Sequence, residues 1–169
     1  TLARLDAALE ACRAAAPAAA PRGRVLVSGL LPPRPALARA LEAAGLRVVA
    51  DDMAALGRCL HSRPPAQADP LAALERWWAE HRPCPTLLAS GGRRLDSLRA
   101  LAGDAGAQAV VFLTEKFCDP EALELPWLQQ WLRAEGLAVL ALEVGPSTPA
   151  AAAGARFEAL AEMLAGGAA

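Results

Sequence analysis

The run Ala109-Val110-Val111-Phe112-Leu113, breaking into Thr114-Glu115-Lys116-Phe117-Cys118-Asp119-Pro120, decides how this sequence folds. Consecutive apolar residues with no polar alternation, in a segment too short for a core helix, suit a strand covered on both faces of a parallel sheet. Three further runs of the same kind are Arg24 to Ser28, Leu46 to Ala50 and Leu137 to Leu142. Between them the apolar period changes to 3.6, as in Leu37, Leu41 and Ala44, then Leu71, Leu74 and Trp78, Leu95, Leu98 and Leu101, and finally Leu128, Trp131 and Leu132. Each of these stripes is expected to be helical and to cover a sheet face. Gly45, Gly106 and Gly136 stand where a helix should stop before the next strand. A last helix carries Phe157, Leu160, Ala161 and Leu164. The alternation predicts a doubly wound α/β fold, with a mainly parallel four-stranded sheet of flavodoxin or Rossmann type flanked by helices.

A chain of 169 residues, 54% hydrophobic, holds one complete core. Residues 1–22 read as an amino-terminal helix, with Leu2, Leu5, Leu9 and Cys12 on one stripe, and an Ala/Pro linker ending near Pro21; residues 23–169 form the α/β domain. No apolar run approaches the roughly 20 residues of a membrane-spanning helix. A net charge of -1 supplies no field for nucleic acid or an anionic bilayer, so neither is expected as a partner. Lys116 is the only lysine, and the arginine excess reads as coding bias rather than a binding surface. Cys12, Cys59, Cys84 and Cys118 are too widely spaced for a secreted disulfide framework, which points to a reducing cytoplasm. The chain starts at Thr1, and neither a signal-peptide pattern nor an intact natural start is evident in the sequence.

In a parallel sheet the functional cleft lies beyond the carboxyl ends of the strands, near the reversal of strand order. The residues there are Ser28 and Gly29, Asp51 and Asp52, Thr114 to Pro120, and Glu143 to Pro146; the long connection Met53 to Thr86 adds Arg58, His61 and Cys84. No glycine-rich dinucleotide fingerprint follows the first strand and no phosphate-loop lysine exists, so nucleotide binding by those routes is not expected. Cys118 is the leading candidate, because Lys116 and the amino end of a helix starting near Pro120 would favour a thiolate suited to metal ligation or attack; a buried structural thiol is the alternative. Cys84, between Pro83 and Pro85, sits in a stiff loop suited to holding a ligand. Cys12 and Cys59 share apolar stripes and are expected to be core thiols. With no CxxC pair, a metal site must be assembled across distance. Asp51 and Asp52 have four open roles: capping a helix, binding a polar ligand, orienting Arg58, or simple solvation. His61 and His81 have no serine or acid at a telling spacing, and no catalytic triad follows.

Taken in order, Arg24-Val25-Leu26-Val27-Ser28-Gly29, Val48-Val49-Ala50-Asp51-Asp52 with Arg58, Asp69-Pro70-Leu71, Pro83-Cys84-Pro85, Lys116-Phe117-Cys118-Asp119-Pro120 and Arg156-Phe157-Glu158-Ala159 resemble the 2-hydroxyacyl-CoA dehydratase and benzoyl-CoA reductase family. The resemblance runs over residues 22–165 and is to the carboxyl-terminal lobe alone. It implies an iron-sulfur subunit that acts by radical dehydration or ring reduction of an acyl-CoA substrate. Its context would include a missing amino-terminal lobe, a paralogous subunit and an ATP-dependent activator. Cys84 and Cys118 become candidate iron ligands of an incomplete 4Fe-4S site, and no cluster is expected on this chain alone. Ser28, Asp51, Asp52, Arg58, Lys116, Asp119 and Glu143 are the candidate cleft residues. The stretch Pro149 to Gly154, almost all alanine, departs from the polar segment expected before the last helix. The rival readings are a diverged ligand-binding domain and a scaffold that pairs with another subunit through the first helix.

Overall fold

The computed structural model describes residues 2–15, 20–60, 66, 69–80 and 92–167. The elements run α1 (Leu2–Ala14), β1 (Gly23–Gly29), α2 (Pro35–Ala43), β2 (Leu46–Met53), α3 (Gly57–Leu60), α4 (Pro70–Glu80), α5 (Gly92–Ala105), β3 (Ala109–Glu115), α6 (Asp119–Ala134), β4 (Ala138–Val144) and α7 (Ala150–Gly166). All strand pairings are parallel, in the order β2-β1-β3-β4. Strand order therefore reverses between β1 and β3, the switch point of a doubly wound sheet.

The strand alternation assigns the two layers. Val25, Val27, Val111 and Leu113 pack with Leu37 and Leu41 of α2 and with Phe157 and Leu160 of α7. Leu26, Val110 and Phe112 point the other way, against Leu95 and Leu98 of α5 and Leu128 and Leu132 of α6. Each such buried side chain contributes about 1.5–3 kcal/mol through removal of apolar surface from water. Only the interior strands β1 and β3 are sealed on both faces. The expectation that Leu46 to Ala50 and Leu137 to Leu142 are equally buried is corrected, because β2 and β4 are edge strands and Val48 is 48% exposed. Gly45, Gly106 and Gly136 all have positive φ, as the helix-stop reading requires. Small residues at the start of α7 let it lie close to α2, a Cβ on Gly154 falling 3.9 Å from that of Ala40.

The helical period was read correctly at residues 71–78 but its partner was not. Leu71, Leu74 and Trp78 of α4 are exposed, since both sheet faces are already covered by α2 with α7 and by α5 with α6. The stripe on α1 is likewise open, with Leu2, Leu5 and Leu9 exposed. Cys12 and Cys59 are corrected from core to exposed thiols, because α1 packs on nothing described and α3 turns only its first half inward. His61, His81 and Cys84 lie outside the described residues. Among the described residues no helix is long and apolar enough to cross a membrane.

Candidate functional site

The residues at the strand ends separate into an interior group and a rim. The interior group begins with Ser28, whose hydroxyl donates to Asp52 Oδ2 at 2.8 Å. Arg58 Nη2 lies 3.1 Å from Asp52 Oδ2 and 3.3 Å from Glu121 Oε1. Arg94 Nη2 donates to Ser28 Oγ at 3.2 Å and lies 3.5 Å from Glu121 Oε1, while its Nη1 donates to Glu124 Oε2 at 2.9 Å. Ser28, Asp52, Arg58, Arg94 and Glu121 are all at most 4% exposed. This network joins β1, β2, α3, α5 and α6 on the α5/α6 side of the sheet. Two guanidinium groups face two carboxylates away from water, with the partly exposed Glu124 at the margin, an arrangement that desolvation makes costly unless geometry and hydrogen bonding are good. Arg94 Nε has no hydrogen-bond partner among the described residues, its nearest carboxylate oxygen being Asp52 Oδ2 at 3.8 Å.

The adjacent aspartates have opposite roles, as neighbours on a strand must. Asp52 joins the interior network and orients Arg58. Asp51 turns to the α2 side and accepts from the backbone N–H groups of Met53 at 3.2 Å and Gly57 at 2.7 Å, closing the turn into α3. Gly57 leaves room for that turn, since a Cβ there would stand 2.4 Å from Asp51 O. A β-bulge selects between the two aspartates: Val25 pairs with Val48 but Leu26 pairs with Ala50, so Val49 is the additional residue and Ser28 stands opposite Asp52.

The rim lies on the turn from β3 into α6. Cys118 N–H donates to Glu115 O at 3.1 Å, which closes a four-residue turn around Lys116 and Phe117. Phe117 has φ 66°, the only positive φ of a non-glycine residue among the described residues, and its side chain is 97% exposed. Cys118 is half-buried and free, and it forms the amino cap position of α6 without a side-chain hydrogen bond to the helix. Asp119 is exposed in the first turn, and Lys116 Nζ lies 3.8 Å from Glu143 Oε1 across the β3/β4 edge. Arg34 donates to Pro146 O and Thr148 O, tying the β1–α2 connection to the β4–α7 connection. An apolar groove of about 710 Å³ opens elsewhere, beside β2, with Val27, Leu41, Val48, Met53 and Asp51 on its walls.

Of the sequence candidates, Ser28, Asp52 and Arg58 thus meet in the interior, and Lys116, Cys118, Asp119 and Glu143 gather at the rim. Asp51 faces the other layer, and Cys84 lies outside the described residues. Arg94, Glu121 and Glu124 were missed. Their signal was phase: Arg94 precedes Leu98 and Leu101 by four and seven residues, and Glu121 precedes Leu125, Leu128 and Leu132 by four, seven and eleven, so both charges stand on apolar stripes.

The sequence pattern of the family described as 2-hydroxyglutaryl-CoA dehydratase, D-component, matches residues 1–164. The chain belongs to that family. It is also similar to the (R)-phenyllactyl-CoA dehydratase beta subunit of Clostridium sporogenes, at 27% identity over 120 residues, or 71% of this chain. The match takes in 32% of that relative, so the chain spans about a third of its length. The family match includes α1 and the whole sheet, and with them the Cys118 turn and the interior network.

Proposed function

We propose that this chain is the carboxyl-terminal lobe of an iron-sulfur 2-hydroxyacyl-CoA dehydratase or benzoyl-CoA reductase-like subunit, and that Cys118 contributes a thiolate to its cluster. The observation that carries the reading is the position of Cys118: a half-buried free thiol at the amino end of α6, beside the switch point of the sheet. The residues fit such a group in kind. A soft sulfur donor suits iron, and the positive end of a 16-residue helix, left without a side-chain cap, suits the negative charge of a thiolate-ligated cluster. Cys84 is the second candidate ligand, and the remaining donors would come from an amino-terminal lobe. A 4Fe-4S cluster bound there would supply single electrons for radical removal of water from, or ring reduction of, a CoA thioester.

The chain's own residues bind and position. Cys118 would hold iron, and the Phe117 ring, projecting beside it, would cover the site from solvent. Lys116 would offer a positive charge at the rim, balanced in the free chain by Glu143. A paralogous subunit and an ATP-dependent activator complete the assembly in this reading, and the beta-subunit designation of the relative supports a partner. The exposed apolar residues on α1, α4 and α6 favour burial against further protein. A scaffold domain without iron shares that feature, so iron decides between them.

The test is anaerobic reconstitution of the 169-residue chain with iron and sulfide, followed by iron counting, electron paramagnetic resonance and assay with activator. We expect substoichiometric, labile iron that falls further in Cys118→Ser, and no dehydration of acyl-CoA. A stable stoichiometric cluster or turnover on this chain alone would overturn the half-enzyme reading. Iron uptake indifferent to Cys118→Ser would remove Cys118 from the site.

A further inference from the structure

We infer that Glu121, held by Arg58 and Arg94, is a positioning residue for Cys118, and that the buried charge network serves to fix the first turn of α6 rather than to add stability. The inference rests on the functional reading of Cys118 given above. Glu121 follows Cys118 by one helical turn, and its carboxylate is drawn inward to Arg58 Nη2 at 3.3 Å and Arg94 Nη2 at 3.5 Å. A Glu at this position of a helix commonly turns back to bind the cap residue's N–H. Here that N–H is taken by Glu115 O, and the carboxylate is committed to the interior. Glu124, one further turn along the same side, is held by Arg94 Nη1 at 2.9 Å. The start of α6 is therefore attached to α3 and α5, and through Ser28 and Asp52 to β1 and β2.

Stability alone does not account for this choice of residues. The rest of the α5/α6 layer is apolar, and an apolar cluster of similar volume is often as stable as a buried ionic one. Apolar packing, however, lets a helix rotate and slide by small amounts, whereas the rigid guanidinium of Arg94, with Nη2 near Glu121 and Nη1 on Glu124, holds α6 at two successive turns. The network sets the rotation of α6 about its axis, and Cys118 sits at the end where that rotation has its effect. On the other side of Cys118, the left-handed Phe117 restricts the chain within the Glu115 to Cys118 turn. The thiol is thus held from both sequence neighbours by features that apolar packing would not require.

The experiment measures alkylation of each cysteine by iodoacetamide in the metal-free 169-residue chain, read by peptide mass mapping. Exposed Cys12 serves as the internal reference. Because labelling of a partly covered thiol follows local opening, we expect Glu121→Ala to raise the Cys118 rate relative to Cys12 by about threefold or more. Glu121→Gln, which keeps an acceptor oxygen, should recover most of the wild-type ratio. Leu132→Ala, in the buried far end of α6, lowers global stability and should leave the ratio unchanged. If Glu121→Ala does not fold, Arg94→Lys, which keeps the charge but loses the fork, should raise the ratio in the same direction. An unchanged or lowered ratio in the folded Glu121 or Arg94 variant, or an equal rise in Leu132→Ala, would overturn the inference. No iron enters this measurement, so its failure is distinct from loss of the cluster reading, which the Cys118→Ser iron count tests.

Discussion

Replacing Phe117 by glycine should stabilise the protein. An L-residue in the left-handed region pays a steric penalty of about 1–2 kcal/mol, which glycine does not have. Glycine gives back roughly 0.5–1 kcal/mol through the greater freedom of its unfolded chain. The ring is 97% exposed, so its removal sacrifices no packing. The balance is a gain centred on about 0.7 kcal/mol and no larger than about 1.5 kcal/mol, or up to about 6 °C in melting temperature for a chain of this size. Phe117→Ala is the necessary control, since it removes the ring but keeps the Cβ responsible for the strain, and its stability should match the wild type. Urea unfolding followed by circular dichroism measures all three proteins. Equal stability of the glycine and alanine variants, or a glycine variant less stable than wild type, would refute the argument that Phe117 is strained. A confirmed gain would mean that the native residue is retained at a stability cost, as positions with a functional task often are.

Three other substitutions probe the remaining features. Arg58→Met leaves Asp52 and Glu121 buried without one of their cations and should cost about 3–5 kcal/mol in urea unfolding. Gly29→Ala places a Cβ 2.4 Å from the backbone oxygen of Leu113, where β1 meets β3, and should destabilise; a loss of about 1–3 kcal/mol is expected from such overpacking, seen as a lower melting temperature. Glu143→Gln breaks a solvent-exposed pair at 3.8 Å and should change the urea midpoint by less than about 0.5 kcal/mol equivalent.

The layers were legible because burial on two faces leaves its mark in composition: Val25 to Val27 and Ala109 to Leu113 contain no polar residue, and they are the strands with no exposed face. Partners were less legible than periods. Leu71, Leu74 and Trp78 specify a helix with an apolar side, but a 3.6 spacing carries no information about what that side meets. The same limit applied to Cys12, which sits on a stripe that the described chain does not cover. At the site, Ser28 and Asp52 followed from strand ends and Arg58 from the long connection after β2, whereas Arg94 and Glu121 resemble the surface charges that flank them, Arg93 and Asp119. Only their coincidence with the leucine stripe sets them apart, and a hydropathy average over the helix conceals that coincidence.

The register slip at Val49 has a consequence for how this site can change over time. Side chains on a strand alternate with a strict period of two, so adding or removing a single residue exchanges the two faces for everything downstream. Had Val49 been drawn into the pairing instead of bulging out, Ser28 would stand opposite Asp51, and Asp52 would be carried toward the α2 layer. Two aspartates in tandem make that shift chemically silent at the first step, because either register presents a carboxylate to the hydroxyl. What would not survive is the turn into α3, since the carboxylate that now binds Gly57 N–H would be spent on the interior. A one-codon insertion after Val49, taken up without a second bulge, would therefore leave the sheet intact and detach the short helix that delivers Arg58, uncoupling the charged interior through the spacing of the chain rather than through the identity of any residue within it.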